Sequence, residues 1–76
     1  MIQFVEIIAR MTPDGTPKPL QLIWDDGRSF DIDAILDIRK KASTKGGGAG
    51  LRYTVKIKGK ERFLFLNEDK WFIELD

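Results

Sequence analysis

Residues 40–60 read KKASTKGGGAGLRYTVKIKGK, a stretch with seven cations, no carboxylate and a run of glycines. Two features of such a segment can hold an anion. Clustered Lys and Arg attract phosphate with little demand on geometry. Successive glycine amides can turn into a concavity that accepts an anion. Arg39, Lys41, Arg52, Lys56 and Lys58 supply the first feature, and Lys45 with Gly46, Gly47 and Gly48 supplies the second. Tyr53 places a ring and a hydroxyl among them. The run lacks the Gly-Lys-Ser/Thr ending of a P-loop and no helical pattern follows it, which disfavours a nucleotide-binding loop. The plain alternative is a hairpin tip with solvated lysines.

Other chemistry is thinly provided. The chain has no histidine and no cysteine. Nucleophile–base arrangements of the Ser-His or Cys-His kind are therefore excluded, as are thiolate metal sites and disulfides. Asp25, Asp26, Asp31 and Asp33 bring two carboxylates to one strand face at i and i+2. Calcium needs about six to eight oxygens, and no loop offers such a series, so these acids read as turn chemistry and a solvated strand face. The expectation is a non-enzymatic protein without cofactor or metal.

The charges are partitioned along the chain. Net charge is +1, yet residues 39–62 hold nine cations against one carboxylate, with acidic segments on both sides. Asymmetry of this kind flags an interaction face. No apolar stretch approaches the roughly 20 residues of a membrane span, and MIQFVEIIAR is not built like a secretion signal. A cytoplasmic protein without membrane contact is expected.

The elements that must position the cations follow period two. In LRYTVKIK (51–58), Leu51, Tyr53, Val55 and Ile57 alternate with Arg52, Thr54, Lys56 and Lys58, as in a half-buried strand with a cationic outer face. RFLFL (62–66) and KWFIEL (70–75) continue the pattern, separated by Asn67-Glu68-Asp69, and Lys58-Gly59-Lys60 makes the turn before them. IQFVEIIARM (2–11) is a long strand. Thr12 to Pro19 holds all three prolines and reads as a loop outside any ladder. LQLIW and RSFDI flank Asp25-Asp26-Gly27, where a three-residue loop with left-handed Gly27 pairs Trp24 with Arg28, Leu22 with Phe30 and Leu20 with Ile32.

Residues 34–42 suit two readings. A helix has favourable caps at both ends; a strand points Leu36, Ile38 and Ala42 inward and gives its neighbours a partner, and the strand is preferred. Paired around a 43–50 loop, it sets Asp37 opposite Lys56 and Lys41 opposite Arg52. The aromatics Trp24, Phe30, Tyr53, Phe63, Phe65 and Trp71 are expected mostly inward, with Phe72 out of phase. Six to seven short antiparallel strands in 76 residues give one all-β domain spanning 1–76, a small SH3-like barrel, with an OB-like barrel as runner-up.

WDDGRSFDIDAILDIR (24–39), GLRYTVKIKGK (50–60) and WFIE (71–74) together resemble a family of short uncharacterised bacterial proteins sharing a WxDGRxFxID…LDxR…GxRYTVxIxGK…WFxE pattern. A similar plan occurs in small proteins encoded beside lesion-bypass DNA polymerases. The resemblance implies strand at 35–42 and a partner in DNA metabolism; it carries no residue roles.

The functional expectation is an accessory module binding the phosphate backbone of DNA or RNA, or a nucleoprotein, through the basic strand pair and glycine loop. The alternative is an adaptor for an acidic protein partner, or one that pairs through a strand edge.

Overall fold

A computed structural model describes residues 1–42 and 49–75. Seven strands follow one another: β1 (Ile2–Met11), β2 (Pro17–Ile23), β3 (Ser29–Asp31), β4 (Ala34–Ala42), β5 (Ala49–Ile57), β6 (Lys60–Asn67) and β7 (Lys70–Glu74). They form one antiparallel sheet in the order β3-β2-β1-β7-β6-β5-β4, curled into a half-barrel compatible with a small SH3-like or OB-like barrel. Residues 34–42 are strand, as preferred from the pattern. No helix among the described residues is long and apolar enough to cross a membrane.

The edge strands β3 and β4 are consecutive in the chain, and two residues join the sheet's edges. Ile32 N donates to Leu20 O in β2, and Asp33 N donates to Lys56 O in β5. Asp33 also accepts from Lys58 N through its carboxylate at 3.0 Å. Its role is to pin this corner.

The 24–28 loop forms as its residues demand. Leu22 pairs with Phe30, Ile32 N reaches Leu20 O, and Trp24 N reaches Arg28 O. Gly27 takes φ 89°, which costs glycine little. Asp26 accepts from Arg28 N, the main cause that holds its carboxyl below the usual carboxylate range. Asp14 is lowered similarly, first by the Thr12 hydroxyl and then by the Thr16 amide.

The proline segment departs from expectation. Pro17 and Pro19 belong to β2, where they pair with Met11 and Ala9. Proline is tolerated because β3 pairs only with Gln21–Ile23, leaving this stretch no second neighbour in the sheet order. The ladder with β1 skips Leu20, going from Ile8–Gln21 to Ala9–Pro19, as a bulge does.

The concave face carries the core: Leu22, Tyr53, Val55, Leu64 and Ile73, with Val5, Ile7, Trp24, Phe30 and Trp71 packed against them. Tyr53 is 0% exposed, and burial raises its pKa, with Asp14's charge adding to the shift.

Candidate nucleic-acid interface

β4 and β5 do pair, but in a different register from the one the alternation suggests. Ile35 opposes Val55, Asp37 opposes Thr54, and Leu36 is left over as a bulge between them. Beyond the bulge Arg39 opposes Arg52, Lys40 opposes Leu51 and Lys41 opposes Gly50. The expected pairs Lys41–Arg52 and Asp37–Lys56 are therefore replaced; Lys56 lies between Ala34 on one side and Glu61 on the other. Two causes shift the register. The Asp33 corner fixes where β4 starts, and β5 begins at Ala49 rather than Leu51. Gly50 is thus a strand residue. A Cβ there would lie 2.3 Å from Leu66 O, so only glycine lets β5 pass this close to β6.

The cations nominated from the sequence are divided by the fold. Arg39 and Arg52 are cross-strand neighbours on the convex face. Lys56 shares that side, one register step past Thr54 and Val55. Lys58 adopts φ 51° in the β5–β6 turn and carries its ammonium to within 5.3 Å of the Phe30 ring centroid, on another part of the surface. Tyr53 is no surface contact, because its ring lies in the core beside Trp71 at 5.4 Å between centroids. Lys45, Gly46, Gly47 and Gly48, proposed from the sequence as an anion concavity, lie outside the described residues.

The convex face also holds an aromatic row that alternation alone misplaced. Phe4 pairs with Phe72 across β1 and β7, Phe72 with Phe65 across β7 and β6, and Phe65 with Arg52 across β6 and β5. Phe65 and Phe72 stack with centroids 5.0 Å apart and planes 9° apart. Phe4 meets Phe72 edge-on at 5.6 Å. Phe72 is buried by these neighbours, yet Phe4 remains 55% exposed and Phe63 40% exposed. The signal for this row was present in the spacing of Phe63, Phe65 and Phe72, which share a phase opposite to Leu64, Leu66, Trp71 and Ile73.

Arg52 joins the aromatic and cationic parts. Its guanidinium carbon stands 4.8 Å from the Phe63 ring centroid, within cation–π range. Its Nε is shut off from solvent and has no hydrogen-bond partner among the described residues. Arg39 opposite is tied by its Nε to Asp37 at 2.7 Å, an exposed pair of the kind worth about 0–1 kcal/mol. That carboxylate is therefore easily exchanged for another anion. The face presents two opposed guanidinium groups beside one accessible ring, Phe63, with Phe4 three strands away from Arg52 at the far end of the row.

No protein-family model, curated protein or solved structure matches this chain.

Proposed function

We propose that this protein is a non-enzymatic binding module that takes single-stranded nucleic acid on its convex face. The observation that carries the reading is Arg52 held over the half-exposed Phe63 ring and directly opposite Arg39. Single-strand binding combines cations that follow the backbone with rings on which bases stack, each stack contributing roughly 1–3 kcal/mol without regard to sequence. Like charges placed directly across two strands are destabilising by themselves, and a phosphate between them reverses the sign. Phe63 then offers the stacking surface. Contacts of this type discriminate poorly between sequences.

The test is a titration of labelled oligo-dT, oligo-rU and a duplex of equal length. Single strands should bind more tightly than the duplex, and Phe63→Ala should narrow that difference. Equal binding of strand and duplex, unaffected by Phe63→Ala, would contradict stacking.

A second reading has one observation in its favour. β4 is a nine-residue edge strand with no neighbour on its outer side among the described residues, and Arg39 and Lys40 lie along it. An acidic peptide adding a strand there would use backbone hydrogen bonds with charge complementarity. It predicts protection of β4 amides on binding, with the convex rings unaffected.

A further inference from the structure

The concave face is not apolar throughout. On β6 the inward phase that carries Leu64 and Leu66 continues to Arg62, opposite core residue Val55, and to Lys60, opposite Ile57. Lys60 is exposed at the open end of this phase and Arg62 is half-buried, as expected of long cations that are rarely fully buried. They border a cavity of about 430 Å³ at one mouth of the half-barrel, floored by Leu22, Trp24, Phe30 and Ile73.

Its charged lining is all of one sign. Arg28, Lys58, Lys60 and Arg62 surround the opening, and no carboxylate among the described residues lines it. Arg28 is bound through Nε to Asp26 at 2.7 Å, which offsets one charge. Arg28 and Lys58 both lie near the Phe30 ring, at 5.7 and 5.3 Å from its centroid. That ring steadies two cations at the rim and presents an aromatic wall below them.

We infer that this mouth binds a mononucleotide-sized phosphate monoester bearing a flat ring. Charge argues for phosphate: Lys58 and Lys60, both exposed at the rim, suit a dianion better than a carboxylate, and a phosphate monoester carries about −1.5 to −2 near neutral pH. Shape argues for a ring. Trp24 and Phe30 give the floor two aromatic surfaces, and the volume lies within the roughly 300–1,000 Å³ of small-molecule sites. The phosphate sits at the rim, the ring on the floor. This site is separate from Arg39, Arg52 and Phe63, and it stands whether or not the convex face binds a strand.

The experiment uses the full chain, labelled with ¹⁵N, and reads the indole signals of its two tryptophans, assigned with Trp24→Phe. Adenosine monophosphate is titrated against adenosine and inorganic phosphate. The expected result is a saturable shift of the Trp24 signal with the nucleotide, with each half alone binding roughly tenfold or more weakly. Lys58→Gln with Lys60→Gln changes two exposed side chains and should weaken the nucleotide roughly tenfold while leaving the remaining spectrum in place. Arg39→Gln with Arg52→Gln should leave nucleotide affinity unchanged. No Trp24 shift with millimolar nucleotide overturns the inference. So does inorganic phosphate binding as tightly as the nucleotide, or a shift that survives Lys58→Gln with Lys60→Gln. A Trp24 shift that depends on protein concentration alone also overturns it, because a second copy would then cover the mouth.

Discussion

The Tyr53 hydroxyl donates a hydrogen bond of 2.5 Å to the carbonyl of Pro17, 36 residues earlier in the chain. It ties the core of β5 to the proline-rich start of β2, two strands that are not neighbours in the sheet. Because the pKa of Tyr53 is raised by burial above its ordinary 10.0, the folded state holds this proton more tightly than the unfolded chain does. Its contribution is therefore complete below pH 10.0 and is lost as pH rises through the raised value. Tyr53→Phe should cost about 1 kcal/mol at neutral pH for the lost hydrogen bond. The gap to the natural protein should close in alkali. Urea unfolding at pH 7 and pH 11 measures both, and absorbance of the single tyrosine follows the ionisation directly.

Gly50→Ala should be more damaging than the same change in a loop, and for a different reason. The added methyl would meet Leu66 O at 2.3 Å and the Asn67 Cα at 3.2 Å, both backbone atoms. β5 and β6 must separate there, at a cost of about 1–3 kcal/mol or more. Gly27→Ala, with open space around it but φ at 89°, should cost about 1–2 kcal/mol from backbone strain alone. Thermal unfolding of the pair ranks them. Amide exchange should quicken around Leu66 and Asn67 in Gly50→Ala and stay unchanged there in Gly27→Ala.

Phe72→Ala tests whether the convex row is structural. The Phe72 ring is 1% exposed and lies between Phe4 and Phe65, so truncation should cost about 3–5 kcal/mol as in a core. Phe4→Ala, at an exposed end of the row, should cost much less. Equal effects in urea unfolding would mean that the row does not pack as a unit.

The all-β architecture was readable because period-two alternation is strong in 51–58 and 70–75 and β-branched and aromatic residues crowd 2–8, and because Gly27 fixed its hairpin register. Alternation could not reveal the Leu36 bulge, since a bulge changes phase without changing composition. It therefore assigned Lys41, rather than Arg39, to Arg52. Gly50 was read with the glycine run because a strand glycine is recognisable only from the neighbour it must clear. Pro17 and Pro19 were excluded from the sheet by a rule that holds for interior strands and relaxes where one side has no partner. Lys60 was read as part of the 58–60 turn and Arg62 as the start of the 62–66 strand, although their phase with Leu64 and Leu66 places them on the concave side.

The proposed function requires that Arg39 and Arg52 form one anion site beside Phe63. The most direct measurement is the affinity of the natural protein and of Arg39→Gln with Arg52→Gln for a single-stranded oligonucleotide across a series of salt concentrations. Log affinity should fall linearly with log salt, by about 0.7 per phosphate contact for a single strand. The double variant should have a shallower slope by one to two such contacts and weaker binding to every sequence. Its folding stability should stay within about 1 kcal/mol of the natural protein's, because removal of the opposed like-charge pair offsets loss of the Arg39–Asp37 pair and of the Arg52–Phe63 contact. An identical slope and affinity in the two proteins, or no strand binding by either at low salt, would contradict it.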